Sequence, residues 1–288
     1  MKVHLLSPHP GVLTMGFVFV TDSGKTLVID GGMDDPPGAE KKYAGYLFSE
    51  LQRITGKGRP YIDAWIFTHI HSDHVGEFCR MTETLNSEFG VRNFYFHFPS
   101  EEFAEKYFSG EDLFWFRRFR KAYNAFFYDD MAFARHTPVC VGQRIELDGL
   151  EVEFLRVPNE NILPNPVNNT SIVFRLKAAG QSWLFLGDLG IEGGNELASM
   201  YGKGLACDIC QLSHHGQKGV GENVYDLAAP TLCINNAPQW SWENLGRGGP
   251  GTGPFRCAET AAMPAVARAK QMLVFQDGTR ELTLPLEI

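Results

Sequence analysis

The feature that most restricts how this chain can fold is the run His69-Ile-His71-Ser-Asp73-His74, placed directly after the apolar segment Ala64-Trp-Ile-Phe67. Alternate side chains of an extended segment point the same way, so His69, His71 and Asp73 share one side. His74 breaks that alternation, and the chain must turn there to aim a fourth donor at a neighbouring point. Three imidazoles and a carboxylate in six residues form two N/O donor sets, which suits two borderline divalent ions such as Zn²⁺. With nine His in 288 residues, three in one hexapeptide is hard to obtain by accident. The fold must therefore bring a strand end and a helix start to one point, where α/β proteins usually place their sites.

The rest of the pattern agrees with a layered α/β fold. Gly16-Phe-Val-Phe-Val20 and Thr26-Leu-Val-Ile-Asp30 are strand-like and separated by the turn residues Asp22-Ser-Gly24. Helical periodicity runs over 39–54, with Tyr43, Leu47 and Leu51 on one face, and again over 75–89, with Phe78, Met81, Thr82 and Leu85 as the buried stripe. An aromatic stretch over about 99–135 reads as helical. Strand-like segments follow at Gln143–Leu147, Leu150–Leu155, Ser171–Leu176, Ser182–Leu186 and Ile209–Leu212. No repeat or low-complexity linker divides residues 1–288, so a single domain is expected. Strand groups alternating with helices predict two sheets with helices on their outer faces.

Two later segments are candidates to complete the site. Leu184-Phe-Leu-Gly-Asp188 ends an apolar strand in Gly-Asp, which by itself is an ordinary turn signal. Gln211-Leu-Ser-His214-His215-Gly216 ends another strand in paired His, which alone leaves both a structural and a functional reading open. Asp30 likewise either closes a strand before Gly31-Gly32 or orients a nearby ligand.

Taken together, His69-x-His71-x-Asp73-His74, Gly187-Asp188 and Ser213-His214-His215-Gly216 resemble the metallo-β-lactamase superfamily in order and spacing. The similarity is greatest to the subgroup containing the hydrolase domain of ComEC-type competence proteins, and extends to Leu27-Val-Ile-Asp30-Gly-Gly32, Asn168-Asn169-Thr-Ser171-Ile-Val-Phe-Arg-Leu and Cys207-Asp208-Ile-Cys-Gln-Leu. It covers most of the chain apart from an aromatic-rich helical insertion at about 94–137. The resemblance implies an α/β, four-layer αββα sandwich with the site at one edge. It further implies His69 and His71 on a first metal; Asp73, His74 and one His of the 214–215 pair on a second; and Asp188 bridging both. His214, first after the strand, is the expected ligand, with His215 facing substrate as a catalytic group; the opposite assignment stays open. Asn169 stands where many members supply a third His, so the first site is expected to be the poorer. The region Pro10–Gly16 lacks the early Gly-Asp of ComEC-like domains, and Gln217 replaces the usual Ser.

The function this implies is hydrolysis by a metal-bound hydroxide held between two ions about 3.5–4 Å apart, with Asp73 or the spare His orienting the nucleophile or protonating the leaving group. A phosphodiester or related phosphate ester is the expected substrate. Carboxylic esters, lactones or thioesters on the same scaffold form one alternative, and a non-catalytic metal-binding or ligand-sensing protein forms another. Zn is the expected metal, although the N/O set also accepts Mn or Fe. The absence of His-Glu-x-x-His removes the zincin reading.

Composition sets the remaining bounds. A net charge of −8 argues against whole-surface attraction to nucleic acid or anionic membranes. No secretory leader is evident, apolar runs are too short to span a bilayer, and the six Cys follow no disulfide framework; a reduced, cytoplasmic protein is expected. Cys207-x-x-Cys210 lies in a strand-like segment and is not expected to chelate. The run Phe114–Tyr123 interleaves basic and aromatic residues. It reads as an amphipathic packing helix, lid or homodimer surface before it reads as a polynucleotide site. Trp240 and Trp242, in a Gly/Pro-rich loop, either line a pocket or lie on a mobile surface.

Overall fold

The computed structural model describes residues 1–7, 13–34, 45–128, 135–274 and 278–288. The expected helical start over 39–44, with Tyr43, and residues 10–12 of the Pro10–Gly16 region lie outside the described residues.

In the first half, Lys2–Leu5 (β1), Gly16–Val20 (β2) and Thr26–Asp30 (β3) lead to a helix at Tyr46–Thr55 (α1). Tyr61–Ile62 (β4) and Ala64–Ile66 (β5) precede the helix Ser72–Leu85 (α2). Gly90–Val91 (β6) and Asn93–Phe96 (β7) are followed by the helices Glu101–Tyr107 (α3) and Gly110–Tyr128 (α4), then by Arg135–Pro138 (β8). The second half contains Arg144–Leu147 (β9), Leu150–Arg156 (β10), Val173–Ala178 (β11) and Gln181–Phe185 (β12). After Ile191–Tyr201 (α5) come Ile209–Gln211 (β13), Glu222–Ala228 (α6), Leu232–Asn235 (β14) and three short helices, Gln239–Trp242 (α7), Cys257–Ala262 (α8) and Pro264–Ala267 (α9). Gln271–Val274 (β15) and Arg280–Thr283 (β16) close the chain.

Two seven-stranded mixed sheets result, ordered β16-β1-β2-β3-β5-β7-β8 and β15-β14-β13-β12-β11-β10-β9. The central strands are covered on both faces, so they read as continuous apolar runs whose alternate residues serve different layers. On β2, Phe17 and Phe19 face the other sheet and Val18 faces the helices. On β5, Ala64 and Ile66 face inward and Trp65 outward. The layer between the sheets is aromatic, with Phe19 edge-on to Trp183 at 5.4 Å and Phe174 stacked on Phe185 at 5.0 Å. Leu47 of α1, Phe78 of α2 and Phe119 and Phe126 of α4 cover the first sheet; Leu197 of α5, Val224 of α6 and Ala265 of α9 cover the second. The molecule is thus an αββα sandwich. Among the described residues no helix is long and apolar enough to cross a membrane.

Several segments differ in detail from the sequence expectation. The helix after the His cluster begins at Ser72 rather than 75, so the turn comes two residues before His74 and places Asp73 and His74 in its first turn. The stretch 94–137 holds α3 and α4 but also most of β7 and β8, which are strands of the first sheet. On α4, Trp115, Phe116 and Phe119 are buried. Arg117 pairs with Glu105, Arg118 with Asp34 and Glu83, and Arg120 with Glu101. All six Cys are free thiols; Cys207 precedes β13, while Cys210 lies within it. Trp240 packs edge-on against Phe255 at 4.6 Å.

Candidate metal centre

The site forms at one edge of the sandwich, where β3, β5, β12 and β13 all end. β3 finishes on Asp30 in the left-handed region (φ 53), which turns its carboxylate back under the His segment. That carboxylate is fully buried and accepts hydrogen bonds from Thr68 N and Thr68 Oγ1, both 2.7 Å, and from His74 Nδ1 at 2.8 Å. Asp30 therefore does both things offered for it: it ends a strand and it orients a histidine.

Past β12, Gly187 (φ 55) brings the backbone so close to Ser171 and Thr68 that a Cβ would meet each at 3.1 Å. Only glycine fits this approach comfortably, and it delivers Asp188 to the cluster. Past β13, His214 (φ 53) and His215 (φ 54) are both left-handed, a conformation costing roughly 1–2 kcal/mol per non-glycine residue. Neighbours enforce it: His214 N donates to Gly187 O at 3.0 Å, Ser213 N to Tyr225 Oη at 3.1 Å, and Ser213 Oγ to Leu189 O at 2.7 Å. Gln211 ties the two strand ends together, accepting from Leu186 N at 2.9 Å and donating to Gly187 O at 3.1 Å.

Two donor groups result, each with its ligand atoms within 4.8 Å of one another: Asp73, His74, Asp188 and His215, and His69, His71 and Asp188. Asp188 belongs to both. Its Oδ1 lies 3.4 Å from His74 Nε2, while its Oδ2 lies 3.8 Å from His69 Nε2 and 3.8 Å from His215 Nε2. The paired histidines occupy the opposite places from those expected. His215 is fully buried with Nε2 2.8 Å from Asp73 Oδ2, whereas His214, its side chain 25% exposed, stands at the mouth 3.9 Å from Asp188 Oδ2. The consecutive left-handed residues explain this reversal: they carry the second histidine inward and leave the first at the rim.

Each ring is held from behind through its outer nitrogen. His69 Nδ1 lies 3.2 Å from Thr68 Oγ1, His71 Nε2 3.3 Å from Asp112 Oδ1, and His74 Nδ1 sits on Asp30. His214 Nδ1 meets Lys218 O at 3.2 Å and His215 Nδ1 meets Asn236 O at 3.0 Å. Such outer partners fix ring tautomers and orientation at metal sites. Asn169 is directed elsewhere. Its Oδ1 accepts from Gly190 N at 3.2 Å and Gly193 N at 3.0 Å, capping α5, while its Nδ2 donates to Pro164 O and Glu192 Oε2. Thr68, Asp112, Gln211 and Asn236 were not among the expected site residues. Only Asp112 carried a local signal, the Ser109-x-x-Asp112 pattern of a helix start.

The electrostatics fit a cation. Burial alone would lower His74, yet Asp188, Asp73 and Asp30 outweigh it and hold the ring well above its usual range. Burial would raise Asp188, but His74, His215 and His214 keep it well below the usual carboxylate range. His69 is driven well below 6.5, first by burial and then by His74. Asp73 Oδ2, His74 Nε2, Asp188 Oδ1 and His215 Nε2 are buried and have no partner outside one another. Buried polar atoms need such partners, and here four converge on one point. A divalent cation satisfies them together, and the N/O set is one that such ions accept.

A metal-type donor cluster at the edge of an αββα sandwich defines a class, that of metal-dependent hydrolases built on this architecture. The family model described as the metallo-beta-lactamase superfamily matches residues 16–223, and the chain belongs to that superfamily. It is a metallo-β-lactamase-fold hydrolase with candidate metal-binding residues. It is 27% identical to ComE operon protein 3 of Bacillus subtilis over 225 residues, 74% of this chain and 25% of that protein. It is 35% identical to competence protein ComA of Neisseria gonorrhoeae over 102 residues, 35% of this chain and 14% of that protein. The chain thus spans a quarter or less of the curated relatives it matches, and the likeness supports a ComEC-like subgroup. Among solved structures the fold resembles YhfI of Bacillus subtilis (TM-score 0.54, 13% identity, covering 97% of this chain and 98% of that one). It also resembles Zn²⁺-bound PqqB of Methylobacterium extorquens (TM-score 0.53, 12% identity, 99% and 100%) and CmlA, a diiron β-hydroxylase of Streptomyces venezuelae (0.51, 13%, 98% and 54%).

Proposed function

We propose that this chain hydrolyses a phosphodiester or related phosphate ester with two divalent cations. The observation that carries the reading is the shared position of Asp188, which belongs to both donor groups. His69, His71 and Asp188 would hold one ion; Asp73, His74, Asp188 and His215 would hold the other. Divalent cations there would supply Lewis acidity and lower the pKa of water from 15.7 towards about 7. Paired cations suit in-line displacement at phosphorus, where attacking and leaving oxygens both need their charge stabilised. An acyl carbon concentrates the developing charge on one oxygen.

The chain's own residues supply orientation and proton transfer. The Lys218 carbonyl accepts from His214 Nδ1–H, which leaves Nε2 as a base facing the Asp188 side. A proton taken there can pass to the departing oxygen. The catalytic role expected of His215 is therefore proposed for His214. Zn²⁺ is the proposed occupant because imidazole-rich N/O sets suit it. PqqB is described with Zn²⁺ and CmlA with two irons, so the fold by itself does not select the metal.

The test is turnover of bis-p-nitrophenyl phosphate against p-nitrophenyl acetate and a simple lactone after metal analysis. The diester should be hydrolysed, and Asp188→Ala should reduce the rate by more than about a hundredfold, beyond what an outer partner of a metal site costs. Hydrolysis of only the acetate or lactone would move the reading to acyl substrates. Two bound metals without turnover of any of the three would make the chain a sensor.

A further inference from the structure

The histidine rings of the site take their outer partners from Thr68, Asp30, Lys218 and Asn236, with one exception: His71 takes its partner from α4. His71 Nε2 lies 3.3 Å from Asp112 Oδ1, while its Nδ1 lies 3.0 Å from His69 Nε2 and so faces the donor group. Asp112 is not one of the converging donors. It stands behind the ring and can act only through it.

Its placement is built, not incidental. Ser109 Oγ donates to Asp112 Oδ2 at 2.6 Å and accepts from Asp112 N at 3.1 Å, so one hydroxyl both caps the start of α4 and restrains the carboxylate. The helix is anchored in turn. Phe119 packs on Phe67 at 5.1 Å and on Phe78 at 5.2 Å, and Arg118 reaches Asp34 and Glu83, both at 2.7 Å. Phe67 and Phe78 flank the His69–His74 segment in the chain, so the packing that seats α4 also fixes its distance from His71.

We infer that Asp112, carried by α4, is a positioning residue for the His69–His71–Asp188 group: it holds His71 in the Nε2–H tautomer and turns the Nδ1 lone pair inward. The inference rests on the two-cation reading above, but its measurements are independent of turnover. A carboxylate behind a ligating imidazole raises the basicity of the ring and fixes its orientation, and losing such a partner costs roughly 10–100-fold in metal affinity.

Two readouts test it. In metal-free protein, ¹⁵N shifts of the His71 ring should report the Nε2–H tautomer, and Asp112→Ala should release the ring to exchange between tautomers. In a Co²⁺ titration followed by absorption and chelator competition, Asp112→Ala should weaken one of two equivalents by roughly 10–100-fold and leave the other unchanged. Asp112→Asn, whose amide oxygen accepts the same N–H, should recover most of that loss. Ser109→Ala should give a smaller shift in the same direction. Wild-type affinity for both equivalents in Asp112→Ala would overturn the inference, as would equal weakening of both together with a fall in the metal-free Tm. A protein that binds both ions yet turns over no phosphodiester would sink the phosphodiester reading and leave the Asp112 result standing.

Discussion

The two donor groups share Asp188 but are built on different terms. The Asp73–His74–Asp188–His215 group has four donors, all buried, and two of its rings are backed by the fully buried Asp30 and by a backbone carbonyl. The His69–His71–Asp188 group has three, and His71 is partly exposed and backed by an aspartate from a separate helix. A third imidazole is not supplied by Asn169, whose amide is fully occupied in capping α5. Depth and donor number therefore favour the first of these groups as the tighter site, and the second as the one with room for water or substrate. The lesson is that ligand identity sets which ions can bind, while the shell behind the ligands sets how firmly each is held.

The largest effect should come from exchanging the members of the histidine pair. His215→Ala removes a donor from the four-membered group and should weaken one metal equivalent by more than about a hundredfold, beyond the loss of an outer partner. His214→Ala should keep both equivalents within a few-fold while lowering kcat by roughly 10²–10⁴, the usual worth of a positioned acid or base. Chelator competition and kcat, measured on both variants, separate the roles. The reverse pattern would return the ligand position to His214 and dissolve the geometric contrast between the groups.

That pair also marks where sequence reasoning stops. The sandwich was legible because short apolar strand runs alternating with helical periodicity are local signals, although which of Phe17, Val18 and Phe19 faces the other sheet is decided by the tertiary packing. His69, His71, Asp73 and His74 were legible because they lie within six residues. Which of His214 and His215 turns inward follows from their consecutive left-handed dihedrals, which are held by Gly187, Tyr225 and Leu189 from elsewhere in the chain. Nothing local to Ser213–Gly216 records them. Asn169 was read only from its place along the chain, and the direction of its side chain depends on the start of α5 some twenty residues later. Asp112 could be read as a helix start and no more, because its meeting with His71 is a tertiary event.

The groups should also titrate in opposite directions without metal. His74 and His215 are raised by the carboxylates around them, against the effect of burial. Their charged forms therefore contribute stability that is complete below the ordinary value of 6.5 and is lost as pH rises through their folded values. Asp188 and Asp73 are lowered by those same histidines, again against burial. Their contribution is complete above 3.8 and is lost as pH falls through their folded values. His69 is lowered, chiefly by burial, so it works against this trend and favours the fold above 6.5. The lowered histidines, His4, His69 and His136, act on stability below 6.5, so above it the raised pair decides and the metal-free Tm should decline as pH climbs. The metal-loaded Tm should rise over the same interval, because cations need neutral imidazoles. Thermal melts with chelator and with Zn²⁺ across this range test both slopes. A metal-free Tm that climbs from pH 6.5 to 8 would show that the four-membered group does not hold its histidines charged.

The smallest effect bears on why the three-membered group lacks an imidazole. If identity at one position were the whole cause, Asn169→His would complete that group and tighten it. The geometry gives a different expectation. Asn169 Oδ1 serves Gly190 N and Gly193 N, and a Cβ on Gly193 would meet that same oxygen at 2.8 Å, so the space around it is closely filled. Histidine there gives up the cap without a clear route to the donor group. Loss of a helix cap costs about 0.5–2 kcal/mol, so Asn169→His should lower the unfolding free energy by that order and leave both metal affinities unimproved. Denaturant unfolding of the metal-free protein and a Co²⁺ titration of the same preparation give the two numbers. A tenfold gain in affinity for the weaker equivalent would show that this side chain can turn toward the ions, and that the poverty of the group is a matter of one residue type and not of how α5 is anchored.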